Sequence, residues 1–332
     1  MTWEGDPLLV PFWDTTAMYR ESAILRGDDR GAHATLLFQP ESITAVTDAA
    51  GGQVYEEGAD YIVERAQRRL VRTPGSRMPW VHSEASGTNG ALTHGHTIAV
   101  SYTHAGNRMS WRPDAQLARL PRFADCLRRG APIGLCVIGD SISAGYDASG
   151  FHGFPPFQPP YAPLVAHAME GLAGARVRLE NLATAGWTTA DALWEAERVA
   201  LLEPDLVIVA FGMNDAAYAD GDEFAANLST LLDGVRAGHP SAEFLLVSPM
   251  LPTRECTWVD PSRFAGYQEQ LRALGGDGVA VVDLTRLWAE FGQFKTTDDL
   301  SGNGLNHPND FGHRLYAHTI IAALWPGGSN EG

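Results

Sequence analysis

Four short loops of the chain carry residues able to do acyl chemistry. Gly139-Asp140-Ser141-Ile142 follows the apolar run Leu135–Ile138. Ser141 therefore stands where a strand hands over to a helix, among backbone N–H groups that lack partners and can face an anion. A plain Gly-Asp-Ser turn explains the same residues equally well when they are taken alone. Asn181-Leu182-Ala183-Thr184-Ala185-Gly186-Trp187-Thr188 comes after an alternating segment. Gly186 has no side chain to intervene, so its N–H can approach a bound group, although an ordinary turn glycine is the commoner cause. Gly212-Met213-Asn214-Asp215 follows the most apolar run of the chain, where the Asn214 amide can donate to an oxyanion or simply cap a helix. The fourth loop, Asn303-Gly304-Leu305-Asn306-His307-Pro308-Asn309-Asp310, places His307 where a neutral imidazole can take the proton of Ser141, which is unreactive without a base. One histidine among eleven is usually structural. Nucleophile, two donors and base in order, each beside a strand end or a helix start, are worth more than any one of them.

The elements that must position these loops are legible from residue 132 onward. Leu135–Ile138, Leu206–Phe211, Phe244–Val247 and Val279–Val282 are short, nearly continuous apolar runs, as strands buried on both faces must be. Arg176–Leu182 alternates, which suits a half-exposed edge strand. Helical segments are expected at 161–173, 189–202, 222–238, 261–275 and 310–324, the last with Asn309 or Asp310 as its N-cap. Strand–helix alternation of this length predicts a three-layer α/β domain with a parallel sheet, in which function sits at the carboxyl ends of the strands.

The first 113 residues read differently. Ala34–Phe38, Ile43–Val46, Tyr61–Val63 and Thr97–Tyr102 are short runs separated by turn clusters at Arg26–Asp29, Asp48–Gly52 and Ser86–Gly90. This pattern predicts an all-β sandwich, jelly-roll-like, over 1–113, with a Pro- and Arg-rich linker at 114–132 and the α/β domain at 133–332. The formal charge of −16 argues against a phosphate-neutralising basic surface, and nucleic acid is a poor candidate partner. No run of 18 apolar residues spans a membrane, and Met1–Asp6 has no basic stretch followed by an apolar one, so a cytoplasmic protein is expected. The three cysteines are widely spaced and match no zinc pattern. No metal or cofactor is expected.

The four loops together resemble the SGNH (GDSL-type) hydrolase family over about 200 residues, from Ile133 onward. By that resemblance Ser141 in Gly139-Asp140-Ser141 is the nucleophile, and Gly186 and Asn214 are oxyanion donors beside the Ser141 N–H. His307 in His307-Pro308 is the base. The resemblance implies a flavodoxin-like sheet and serine esterase chemistry without a metal. Gly139–Ser143 lacks the last glycine of the G-x-S-x-G elbow, which separates it from the α/β-hydrolases. One position departs from the family pattern: Gly304 stands three residues before the base, where an Asp is usual. Asp298 and Asp299 lie nearby, and the two-domain carbohydrate esterases that the chain resembles include Ser–His dyads in which a backbone carbonyl orients the base. Asp298, Asp299 and a backbone carbonyl are the candidates for orienting His307.

Other residues also have types that could do chemistry. Thr93-His94-Gly95-His96 with His104 places histidines on one face of a strand, but no carboxylate or thiolate accompanies them, so surface histidines fit better than a metal site. The ring-rich segment Phe151–Tyr161 either stacks a sugar or packs on the sheet, and packing is slightly favoured; Trp187 is the better pocket wall. The expected function is hydrolysis of a short acyl ester, acetyl above all, on a carbohydrate, with a small molecule or an oligosaccharide as the partner. The alternatives are a lipase- or thioesterase-type hydrolase and an inactive carbohydrate-binding protein.

Overall fold

The computed structural model describes residues 6–28, 30–82, 95–106, 109 and 111–325. Its N-terminal part is two β-sheets. One has three antiparallel strands in the order β1-β8-β4, from β1 (Ala17–Ile24), β4 (Pro40–Asp48) and β8 (Thr97–His104). The other has five strands in the order β5-β6-β3-β2-β7: β2 (Arg26–Asp28), β3 (Gly31–Thr35), β5 (Tyr61–Glu64), β6 (Arg69–Arg72) and β7 (Val81–His82). The run expected at Ala34–Phe38 straddles the end of β3, because Leu36–Phe38 leave the sheet and are buried outside it. The Ser86–Gly90 turn lies outside the described residues.

The second part is the expected α/β layer structure. Strands β9 (Ile133–Gly139), β10 (Val177–Asn181), β11 (Leu206–Ala210), β12 (Phe244–Val247) and β13 (Val279–Val282) form one parallel sheet in the order β10-β9-β11-β12-β13. Burial explains the run types: every residue of β11 and β12 is buried, whereas the edge strand β10 has none that is. Helices Tyr161–Ala173, Gly221–Gly238, Arg263–Leu274 and Asp310–Leu324 flank the sheet. The expected helix 189–202 is broken into Thr189–Ala192, a 3-10 turn at Leu193–Glu195 and Ala196–Leu201. The order of connection reverses on either side of β9, so the crevice between β9 and β11, at their carboxyl ends, is where such a sheet places a ligand.

The two parts are joined by more than the chain. Residues 114–132, expected as a linker, contain the helix Pro121–Arg129, whose Phe123 and Leu127 are buried. The buried apolar side chains form one continuous cluster that includes residues of both parts. Polar anchors reinforce the seam. Lys295, the only lysine of the chain, is buried and pairs with Glu21 of β1 while donating to the Ser22 carbonyl at 2.6 Å. Arg314 of the last helix is buried and donates to the carbonyls of Tyr19 and Arg20 at 2.6 and 2.7 Å. No described helix is long and apolar enough to cross a membrane.

Candidate active site

β9 ends at Gly139, and Asp140 caps the one-turn helix Ser141–Ala144 by accepting the Ile142 N–H at 2.9 Å. The turn puts Ser141 at the carboxyl edge of the sheet, and its Oγ lies 2.9 Å from Nε2 of His307. These two residues, 166 positions apart, are brought together by the last connection of the fold. The His307 loop is held from within: Asn303 Oδ1 accepts the N–H groups of Leu305, Asn306 and His307 at 2.9, 3.0 and 3.1 Å, while the His307 carbonyl accepts from the Gly302 N–H at 2.9 Å. Gly304, at the position where an Asp is usual, has φ +72° and its carbonyl accepts from Thr253 Oγ1 at 2.7 Å.

The group at Nδ1 of His307 is none of the three expected. Nδ1 lies 2.8 Å from Oδ2 of Asp147, a residue of the loop that follows Ser141. Asp298 and Asp299 point the other way, into the seam with the β-sheets. Asp298 pairs with Arg26 at 2.5 Å, and Asp299 accepts the Ile24 N–H at 2.8 Å. Burial pushes both carboxyls up, because neither sees enough water to hold its charge freely. No backbone carbonyl is needed at Nδ1, since a carboxylate occupies it.

Asp147 reaches His307 through an unusual backbone. It sits at φ +66°, the left-handed region that Asp tolerates better than most residues. The preceding carbonyl, of Tyr146, accepts from Nε2 of His313 at 3.0 Å, and His313 Nδ1 accepts the Tyr161 N–H at 3.4 Å. Burial holds the His313 pKa down to about 4, so it is neutral and keeps the tautomer this bridge requires. Gly302 faces Asp147 so closely that a Cβ there would lie 2.5 Å from the Asp147 Cβ. The other carboxylate oxygen of Asp147, Oδ1, is 3.3 Å from His152 Nε2.

The two expected oxyanion loops flank β9, since β10 and β11 are its neighbours in the sheet. They also touch each other: Asn214 Nδ2 donates to the Trp187 carbonyl at 2.8 Å. One of its two amide hydrogens is used there, and its side chain makes no helix-cap bond. Gly186 has φ +83°, which explains the glycine at that position. Below them Asp215 is buried and accepts from Thr189 N, Thr189 Oγ1 and Gly212 N at 2.8, 2.5 and 3.1 Å, tying the two loops together from beneath. Asp140 is fully buried beside Ser141, and its carboxyl is pushed up to about 7 by that burial.

Of the remaining candidates, His94 lies outside the described residues, and His104 is buried with its ring stacked 4.2 Å from Phe38. Among the described residues no three His, Cys, Asp or Glu side chains are grouped to hold a metal. Packing accounts for Tyr161, which is buried, but Phe151, Phe154 and Phe157 stay exposed. Trp187 is half-buried against the core.

Residues 137–315, more than half of the chain, match the model of the GDSL-like lipase/acylhydrolase family. No curated protein matches the chain. Among solved structures it is similar to a two-domain esterase active on acetylated mannans, at 22% identity and a TM-score of 0.51; the match covers 64% of this chain and 54% of that one. The chain thus spans about half the length of that esterase. It is also similar to LAE5, an α/β hydrolase from the metagenome of Lake Arreo, at 25% identity and a TM-score of 0.48, covering 58% of this chain and 94% of that one. A catalytic mutant of Axe2, an acetylxylan esterase from Geobacillus stearothermophilus, matches at 19% identity and a TM-score of 0.49, again over 58% and 94%. The matched segment holds Ser141, Asp147, Gly186, Asn214 and His307, and the chain belongs to the GDSL-like lipase/acylhydrolase family.

Proposed function

We propose that the protein is a serine esterase that removes short acyl groups, acetyl above all, from a carbohydrate. The observation that carries this reading is the unbroken polar line from Ser141 Oγ through the His307 ring to Asp147, with contacts of 2.9 and 2.8 Å. A serine hydroxyl in line with an imidazole whose far nitrogen meets a carboxylate is the arrangement that makes an alkoxide nucleophile at neutral pH. His307 removes the Ser141 proton as Oγ bonds to the ester carbonyl carbon. The charge that develops on the carbonyl oxygen is met by the N–H groups of Ser141 and Gly186 and by the free amide hydrogen of Asn214. His307 returns its proton to the departing alcohol oxygen as the ester C–O bond breaks. Water, deprotonated by His307, then releases the acid from Ser141. Asp147 fixes the tautomer with its proton on Nδ1 and offsets the imidazolium charge in both steps. No metal or cofactor is required by this sequence.

The carbohydrate part of the reading is supported by the fold shared with an esterase active on acetylated mannans, an analogy rather than a site argument. The test is acetate release from a panel of acetylated oligosaccharides, followed by NMR, beside the acetate and octanoate esters of p-nitrophenol. The expected result is acetate release that Ser141→Ala abolishes without moving the thermal midpoint, because Ser141 lies at a strand end rather than in the apolar core. Faster octanoate than acetate hydrolysis would overturn the short-acyl reading, and activity surviving in Ser141→Ala would overturn the mechanism.

A further inference from the structure

The chain has 13 phenylalanines, and the three that are exposed fall within seven residues of one another: Phe151 at 44%, Phe154 at 36% and Phe157 at 59% exposure. Exposed apolar side chains scattered singly need no explanation, but a contiguous cluster marks a surface that meets something. Two of the three, Phe151 and Phe154, belong to one run of ring contacts that begins at the candidate base. The Tyr146 ring is 5.4 Å from that of His307 and 4.9 Å from that of Phe151; Phe151 is 5.3 Å from His152, and His152 lies parallel to Phe154 at 5.7 Å and 8°. The rings form a ladder that starts at His307 and runs outward over the surface. Pro155, Pro156, Pro159 and Pro160 restrict the backbone beneath it, so little freedom is left to lose when a ligand settles there.

The chemistry of the step says which part of a substrate this ladder meets. The proton that His307 takes from Ser141 must be delivered to the oxygen of the departing alcohol, so that alcohol lies against His307. The acyl oxygen is met instead by the oxyanion donors proposed above, Gly186 and Asn214. We propose that the ladder Tyr146–Phe151–His152–Phe154 is the leaving-alcohol subsite, and that it selects a pyranose, whose flat C–H face stacks on aromatic rings, over a small or linear alcohol. The inference rests on the esterase reading above and deepens it: specificity is built into the alcohol side, on the nucleophile's own loop. The polar groups within the ladder, the Tyr146 hydroxyl and the His152 nitrogen that does not face Asp147, supply partners for sugar oxygens in an otherwise apolar strip, as ligand sites commonly combine the two.

The experiment compares kcat/KM for glucose penta-acetate and xylose tetra-acetate, which offer an acetyl group at every position, with kcat/KM for ethyl acetate. The readout is the ratio of sugar ester to ethyl ester, which cancels any damage to the shared acyl chemistry. Phe151→Leu and Phe154→Leu keep apolar bulk without a flat face and should each lower the ratio by about tenfold, the scale of one lost stacking contact. Phe151→Tyr keeps the ring and should leave the ratio within about threefold of the wild type. A ratio unmoved by both leucine variants, or a wild type that prefers ethyl acetate, overturns the subsite while leaving the esterase intact. A wild type that hydrolyses none of these esters overturns the esterase reading itself.

Discussion

Asp147→Asn isolates the most consequential contact of the site. The 2.8 Å contact to His307 Nδ1 holds the ring with its proton on that nitrogen, so that Nε2 is free to accept from Ser141. Asparagine fits the same space but carries no charge, and its amide can donate to Nδ1 as readily as accept. Donation turns the tautomer over, places the proton on Nε2 and leaves the base without a lone pair for Ser141. The matching replacement in serine proteases lowers kcat by about 10⁴, equivalent to about 5.4 kcal/mol of transition-state stabilisation. Gly302 provides a second, steric route to the same carboxylate. A Cβ at residue 302 would lie 2.5 Å from the Asp147 Cβ and 3.3 Å from its Cγ. Carbon atoms in contact sit about 3.5–4.0 Å apart, so Gly302→Ala must push Asp147 away by roughly 1 Å. A displacement of that size near a reacting group costs about 10² in rate. The assay is kcat on p-nitrophenyl acetate for Asp147→Asn, Gly302→Ala and the control Asp298→Asn, with melting curves for each. Asp298→Asn should stay within about tenfold of wild type, a change of about 1.4 kcal/mol. The reasoning is refuted if Asp147→Asn also stays in that range, because His307 would then be oriented without it.

Other consequences are as open to measurement. Asn214→Ala should lower kcat by about 10²–10³ with little change in KM, since a donor to the oxyanion acts only as charge develops; undiminished kcat in the variant would remove Asn214 from the mechanism. Lys295→Met leaves Glu21 buried with its charge uncompensated and should cost about 3–5 kcal/mol in a denaturant titration. The double variant Glu21→Gln/Lys295→Met should recover most of that, and a single-variant loss under about 1 kcal/mol would show that the seam does not depend on the pair. Asp140 holds its proton up to about pH 7 in the folded chain, whereas an unfolded Asp releases it near 3.9. The stability this contributes is complete below about pH 4 and is lost as the pH rises through about 7. Asp140→Asn keeps the acceptor for the Ile142 N–H, so its Tm relative to wild type should climb between pH 4 and pH 8 in calorimetry; a difference independent of pH would contradict the burial argument.

Where a segment's neighbours are all of one kind, its structure is readable from its residues. Phe244–Val247 and Val279–Val282 are bounded in the structure as the sequence bounds them, because strands inside two helix layers must be apolar from end to end. β1 is not legible in the sequence. Ala17–Ile24 has no apolar run, because Arg20, Glu21 and Ser22 interrupt it, yet Glu21 and Ser22 are buried where Lys295 and Asp299 of the other part meet them. A bulge between Met18 and Glu21 also breaks the alternation that would have marked the strand. Tertiary partners, invisible in a local window, decide such a segment. Asp147 escaped for the same reason. Sequence proximity to His307 pointed to Asp298 and Asp299, whereas the fold closes the loop after Ser141 onto the loop before the last helix. The signal was present in Gly145-Tyr146-Asp147, a tight turn ending in the acidic residue best able to take a left-handed conformation. The exposure of Phe151, Phe154 and Phe157 is not legible either, because a ring's burial depends on what covers it, and nothing in the sequence states that.

The central claim is that Ser141 is the nucleophile and His307 its base. Labelling with a serine-directed fluorophosphonate, read by peptide mass spectrometry, tests it most directly, since the reagent reacts only with a serine already activated. The account predicts one adduct, on Ser141, formed far more slowly in His307→Ala and in Asp147→Asn. An adduct on another serine, or labelling of Ser141 at an unchanged rate in His307→Ala, would contradict it.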